Sequence, residues 1–217
     1  MSTRERILSE ALTLFSQRGF DAVSVRDIAR AVGIKEASLY NHFANKQAIF
    51  DSILREYADR WGSLFSRLQL TGEDGQFTVD ERTVAMYGQM TREQFNAMAA
   101  VLFEAYLKDN INVKLRKLLT IEQYRNPDIA ALFKRLSFED SLTFQTALFG
   151  AMIRAGLFGP TDPQMMALAF FSPIFLLFYQ YGDQPERFEE ARAVFTRHID
   201  HFHEKYGAPA PKKGSTL

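Results

Sequence analysis

Apolar residues recur at a spacing near 3.6 along almost the whole chain, and no convincing run alternates apolar and polar as a half-buried strand would. Ile7, Ala11, Leu14 and Phe15 open the pattern, and Ile49, Ile53, Tyr57, Trp61, Leu64 and Leu68 continue it. MMALAFFSPIFLLFYQY, from Met165 to Tyr181, is its most apolar stretch. Such a chain can bury itself only helix against helix, so the expected fold is all-α. With 217 residues, 47% of them apolar, it can form one large or two small domains around a substantial core.

Glycine, proline and capping residues divide the pattern. Gly19 is placed to end the first helix in the left-handed conformation. Ser24, with Asp27 three residues on, reads as a capping-box start for a short helix that turns Ile28, Ala29 and Val32 inward, and Gly33 ends it. A third helix begins at Lys35. Two short helices joined by a glycine turn are the signature of a helix-turn-helix. Asn45 then caps a fourth helix running to about Leu70, and the polar segment from Thr71 to Gln76 is the candidate boundary. Further helices are expected at about residues 80–90, 92–109, 111–124, 128–156, 163–181 and 185–206, making about nine to ten in all. The organisation is a helix-turn-helix domain over residues 1–50 and a helix from 46 to about 70 that links it to a helical domain over 51–206. A flexible tail over residues 207–217 follows.

Composition removes several function classes. No cysteine is present, hence no disulfide, thiolate nucleophile or cysteine-ligated metal, as suits a reducing cytoplasm. Arg4, Glu5, Arg6 and Glu10 interrupt any signal-peptide layout, so a cytoplasmic location is expected. The 26 basic and 26 acidic residues cancel, and residues 1–50 carry only seven basic against five acidic, so charge alone does not argue for nucleic acid. Met165–Tyr181 is 17 residues long, contains Ser172-Pro173 and is flanked by Asp162 and Asp183. That is short of the roughly 20 residues a membrane span needs; a bundle centre or subunit interface is expected instead. His198, His201 and His203 lie near Asp200 and Glu204, but His198 and His201 lack a clear third inward ligand, so no metal site is expected. Glu104 and Lys108 read as a surface ion pair. There is neither a glycine-rich phosphate loop nor a GxSxG elbow, and neither a cofactor nor enzymatic activity is expected.

The stretch IKEASLYNHF, from Ile34 to Phe43, carries the functional signal. Leu39 and Phe43 give it an apolar back, while Ala37, Ser38, Tyr40 and Asn41 fall largely on the other face. The helix starts at Ser24 and Lys35 offer backbone amides and positive dipole ends to phosphate, and His42 and Lys46 add donors. A short polar face on an apolar back is what a recognition helix in a DNA major groove requires. Taken singly, these residues have plainer readings: Ser24 as a cap, Tyr40 and His42 as packing, Lys46 as a solvated lysine.

In order and spacing, Ser24-Val25-Arg26-Asp27-Ile28-Ala29, Val32-Gly33-Ile34, Ser38-Leu39-Tyr40-Asn41-His42-Phe43 and Asn45-Lys46 resemble the tetracycline-repressor (TetR/AcrR) family of bacterial transcriptional regulators. The resemblance covers roughly the first 50 residues. It implies a homodimer that docks in successive major grooves of a palindromic double-stranded DNA operator, and a C-terminal domain that takes up a small-molecule effector and then releases DNA. By position, Ser24, Tyr40, His42 and Lys46 would contact phosphates, Arg26, Lys35, Glu36, Ala37 and Ser38 would lie near base edges, and Asn41 would do either. Glu36 and Asn41 depart from the family's usual small or uncharged and aromatic residues. A carboxylate in the groove can accept from cytosine N4, so Glu36 is expected to select a C·G pair.

The aromatics and methionines after residue 77 would either line an apolar cavity or fill a core. If a cavity is present, Tyr87, Met98, Leu102, Tyr106, Phe133 and Met152 are its candidate lining residues. Helices at about 138–156, with small residues Ala147, Gly150, Ala151 and Ala155, and at about 163–181 are the candidate dimer interface. The competing functions are a helical protein-interaction module without DNA binding and a helical enzyme acting on a hydrophobic substrate.

Overall fold

The computed structural model describes residues 1–67, 71 and 77–207. Its α-helices are α1 (Thr3–Arg18), α2 (Val25–Val32), α3 (Glu36–Tyr40), α4 (Lys46–Arg67), α5 (Glu81–Gln89) and α6 (Arg92–Lys108). They continue as α7 (Asn110–Glu122), α8 (Pro127–Lys134), α9 (Asp140–Arg154), α10 (Pro163–Tyr181) and α11 (Phe188–Tyr206). No strand occurs among the described residues, and the fold is all-α as the periodicity requires. The expected end of the fourth helix at Leu70, with Leu68, the boundary residues 72–76 and the tail residues 208–217 lie outside the described residues.

Three local differences from expectation have physical causes. The single helix expected over 128–156 is α8 and α9 joined by a π-helical turn, Arg135–Glu139. This single π turn continues the backbone hydrogen bonding as i→i+5 and has no glycine or proline to announce it, so the sequence does not punctuate the helix there. Lys35 is the N-cap of α3 rather than its first residue, and α3 is only five residues long; Asn41 to Phe43 follow as a turn, with His42 and Phe43 amides donating to the Leu39 carbonyl at 2.9 and 3.1 Å. Gly19 has the positive φ expected of it, 79°, but its ψ of 163° is extended rather than left-handed helical.

The chain divides into two compact units, Met1–Gly75 with Tyr106–Ser137, and Gln76–Ala105 with Phe138–Leu217. Within unit 1, α7 packs along α1 and so completes the N-terminal core from far away in the sequence. In unit 1, Ile7, Leu8, Ala11, Leu12 and Phe15 of α1 are buried with Ile28, Ala29, Val32, Leu39, Phe43, Ile49, Phe50 and Ile53, and with Leu115, Leu118 and Leu119 of α7. Each such large side chain contributes about 1.5–3 kcal/mol by leaving water. Phe15, Phe20 and Phe50 form an aromatic triangle with ring centroids 5.0–6.1 Å apart. Arg6 donates to the Val32 carbonyl at the C-terminal end of α2, and Lys114 Nζ of α7 donates to Thr13 Oγ1 of α1 at 2.7 Å.

Unit 2 is filled by phenylalanine. Phe103 stacks on Phe195 at 4.2 Å and lies 5.7 Å from Phe178, while Phe149, Phe158, Phe170 and Phe202 meet one another at 4.9–6.2 Å. Burial pushes the Tyr87 hydroxyl up to about 12. By length and apolarity α10 could cross a membrane, yet Met166, Ala167, Ile174, Leu177, Phe178 and Tyr181 are buried within the unit, where α10 packs on α9 and α11. Met165, Leu176 and Tyr179 of the same helix are exposed.

Candidate DNA-binding surface

The surface is built from the corner between α1 and α2, the two helices that follow, and the start of α4. Ser24 has extended backbone angles, and its Oγ accepts the Asp27 amide at 3.1 Å while Asp27 Oδ2 accepts the Ser24 amide at 2.9 Å. Ser24 Oγ also lies 2.6 Å from Asp27 Oδ2, so its hydroxyl hydrogen is committed to that carboxylate. These two bonds from Ser24, side chain first, with Arg18 and Arg30 nearby, hold the Asp27 carboxyl below the usual carboxylate range. Gly33 ends α2 in the left-handed conformation, φ 76° and ψ 34°, which glycine adopts without a Cβ penalty.

Within α3 the two faces separate as the sequence predicts. Leu39 is fully buried and Phe43 nearly so, whereas Lys35, Ala37, Tyr40, Asn41 and His42 are exposed and Glu36 and Ser38 are half-buried. Tyr40, with 49% of its surface accessible, faces water rather than the core. Arg26 of α2 extends beside α3, with Nε 3.5 Å from Glu36 Oε2. Lys35 caps α3 without a side-chain hydrogen bond, and Asn45 Oδ1 accepts the Ala48 amide at 2.8 Å, fixing the start of α4.

Lys46 is not a free solvated lysine. Its Nζ donates to the Phe20 carbonyl at 2.7 Å and sits 4.1 Å from the centre of the Phe20 ring. An ammonium has three N–H donors, so two are left for an anion. Phe20 was not among the sequence candidates, because its role comes from contacts with residues 26 and 102 positions away. All ten candidate DNA residues belong to unit 1 and lie between the N-cap of α2 and the first residue of α4.

The six candidate cavity residues are divided. Tyr106 and Phe133 belong to unit 1, and Tyr87, Met98, Leu102 and Met152 to unit 2. Tyr87, Phe133 and Met152 are buried; Met98, Leu102 and Tyr106 are half-buried. The histidines near the C-terminus turn to different surroundings. His198 Nε2 is 2.8 Å from the Phe170 carbonyl oxygen, the His203 ring stands edge-on to Phe95 at 4.8 Å, and His201 is exposed. Burial, reinforced by Arg92, lowers the pKa of His203.

Comparison with known proteins bears on this surface. Residues 7–53 match the family described as bacterial regulatory proteins, tetR family. The HTH-type transcriptional repressor KstR2 of Rhodococcus jostii (strain RHA1) is 38% identical over 84 residues, which are 39% of this chain and 41% of that protein. The biofilm operon icaADBC HTH-type negative transcriptional regulator IcaR of Staphylococcus aureus (strain Newman) is 31% identical over 106 residues, covering 43% of this chain and 57% of that protein. The chain thus spans about half the length of these two relatives. Across the whole chain the fold is that of SmeT, the repressor of the Stenotrophomonas maltophilia multidrug efflux pump SmeDEF. In its triclosan complex SmeT superposes with a TM-score of 0.63 at 18% identity, covering 100% of this chain and 99% of that one. The helix-turn-helix over residues 7–53 is thus that of the tetR family of bacterial regulatory proteins, and the chain as a whole shares its all-helical fold with SmeT.

Proposed function

We propose that this protein is a DNA-binding transcriptional regulator, acting as a repressor on a palindromic operator as a homodimer. One observation carries the reading: within residues 7–53, Arg26, Lys35, Ala37, Tyr40, Asn41 and His42 are exposed around α3, while Leu39 and Phe43 behind them are buried. Arg26, Lys35, Glu36, Ala37 and Ser38 are the candidate base readers, with Ser24, Tyr40, His42 and Lys46 toward phosphates and Asn41 in either role. The regulator works in the cytoplasm, where bacterial DNA is. A gel shift with the DNA upstream of its own gene at low salt, where backbone contacts are strongest, tests the reading, and a blank result there overturns it. In the bound complex Arg26→Ala relaxes preference at a base pair, whereas Lys46→Ala weakens all sequences alike and lowers the salt slope by about one.

Dimerisation is assigned to α9 and α10. The support is apolar surface: Met165, Leu176 and Tyr179 of α10 are exposed, and Leu142, Thr146, Ala147, Gln164 and Leu168 line a depression between the two helices. Two copies joined there would form a four-helix bundle, and the recognition helices must then lie about 34–36 Å apart, one turn of DNA. Leu176→Lys is expected to yield monomers in sedimentation velocity. Unchanged mass would exclude this face.

The reading includes a small apolar or aromatic effector that favours the non-binding state, an extension from the family and from the triclosan complex of SmeT. Candidate contacts are Tyr87, Met98, Leu102 and Met152 in unit 2 and Tyr106 and Phe133 in unit 1. Operator affinity measured with and without each tight-binding compound decides it; no change with any of them sinks the effector part.

A further inference from the structure

Phe20, in the corner between α1 and α2, is held from two directions inside unit 1. Its amide donates to Glu122 Oε1 of α7 at 2.8 Å, across 102 residues of sequence. Its carbonyl accepts from Lys46 Nζ at 2.7 Å, and its ring lies 4.1 Å from the same ammonium. Glu122 is only 5% exposed, and a carboxylate so far removed from water is costly unless hydrogen-bonded. The Phe20 amide supplies a charge-assisted bond of the stronger kind.

The corner is shaped to make this contact. Gly19 has φ 79° and ψ 163°, a conformation essentially confined to glycine, and a Cβ built on it would lie 3.0 Å from Glu122 Oε1. Glycine therefore serves both the backbone angle and the close approach of the carboxylate. Arg18 Nη2 donates to the Ala22 carbonyl at 2.9 Å, so the corner leaves Phe20 little room to move independently. What Glu122 fixes in Phe20 is passed to Lys46, because the carbonyl and the ring that hold the ammonium belong to the residue whose amide Glu122 holds.

We propose that Glu122 is a positioning residue for DNA binding: through Phe20 it sets the place of the Lys46 ammonium, and hence the phosphate contact that Lys46 makes. The inference rests on the DNA-binding reading above. A lysine held in place before binding loses less side-chain freedom on contact than a free one. α7 thereby becomes an element on whose position that phosphate contact depends.

The test compares the full chain with Glu122→Gln, Glu122→Ala, Lys46→Met and the double variant Glu122→Ala/Lys46→Met. Each is bound to a mixed-sequence duplex of about three helical turns over a salt series. Lys46→Met is expected to lower the slope of log affinity against log salt by about 0.9 per protomer, the worth of one phosphate. Glu122→Ala is expected to remove much of the same slope and to weaken binding about threefold at moderate salt. The double variant binds no more weakly than Lys46→Met. Glu122→Gln, whose Oε1 can still accept from the Phe20 amide, keeps the wild-type slope. Lys114→Met, which removes the Lys114–Thr13 hydrogen bond between α7 and α1, lowers the unfolding midpoint without changing the slope. Should Glu122→Ala not fold, Glu122→Asp, which withdraws the carboxylate by one methylene, gives the same comparison. A wild-type slope in the Ala or Asp variant, or a slope loss added in full to that of Lys46→Met, overturns the proposal. If the wild-type chain binds no duplex at low salt, the DNA-binding reading itself fails first.

Discussion

Arg26 and Glu36 face each other across the helix-turn-helix, Arg26 Nε standing 3.5 Å from Glu36 Oε2 with 76% of the arginine side chain and 41% of the glutamate side chain accessible. The carboxylate engages the inner edge of the guanidinium, and the two terminal nitrogens remain for a bidentate contact. That is the fork that pairs with guanine O6 and N7. Glu36, expected from sequence to read cytosine by itself, thus has a second role available, that of orienting Arg26.

The two roles separate in a binding-site selection. If Glu36 orients Arg26, Glu36→Ala and Arg26→Ala relax preference at the same base pair of each half-site, by about 1–3 kcal/mol of discrimination for the arginine. Relaxation at two different positions would show that they read independently. Stability should move by less than about 0.5 kcal/mol in either variant, since exposed pairs of this kind contribute little.

The capping box at Ser24 predicts a loss of stability in acid. Hydrogen bonds from the Ser24 side chain and amide, with Arg18 and Arg30 beside them, depress the Asp27 pKa in the folded chain. A depressed carboxylate pKa contributes stability that is fully present above the ordinary pKa, near 4, and lost as pH falls through that value toward the folded one. In Ser24→Ala the acid-side fall in melting temperature between about pH 5 and pH 3 becomes shallower, and stability at neutral pH drops by about 1 kcal/mol. An unchanged pH profile would place the loss elsewhere.

Two glycines with nearly equal φ should respond differently to alanine. At Gly33, φ 76° and ψ 34°, a Cβ meets nothing within 4 Å, so only the left-handed conformation is penalised, by about 1 kcal/mol. At Gly19 the Cβ would lie 3.0 Å from Glu122 Oε1 and 3.3 Å from Arg125 Nη1, in a conformation disfavoured by a further 1–3 kcal/mol or so. Urea unfolding should find Gly19→Ala the more destabilised, and asparagine better tolerated at Gly33 than at Gly19.

Unit 2 depends on its phenylalanine stack. Phe103 is 2% exposed and lies against Phe195 and Phe178, so Phe103→Ala is expected to cost about 3–5 kcal/mol, and Phe103→Leu considerably less. Calorimetry checks both. A cost near zero for the alanine variant would mean that the stack is not a packed core.

Much of the helix-turn-helix was legible because its determinants are local. Ser24 caps through Asp27, Gly33 supplies a left-handed residue, and Leu39 and Phe43 are four apart on one face; each of these acts within a helical turn or two, where chain spacing fixes geometry. The same locality made the helix starts at Ser24 and Asn45 readable. It could not disclose the π turn at Arg135–Glu139, which no glycine or proline marks, or the brevity of α3.

By itself the sequence determined that the chain is helical, where most of its helices start and stop, and which face of residues 35–43 is apolar. Tertiary structure alone decided that α7 joins the N-terminal core and that the six candidate cavity residues fall in two units. It also brought Arg26 to Glu36, and Phe20 between Glu122 and Lys46. The physical reason is range: capping and helical period act over a few residues, whereas a buried carboxylate takes its donor from whatever backbone the packed helices bring to it, here 102 residues away.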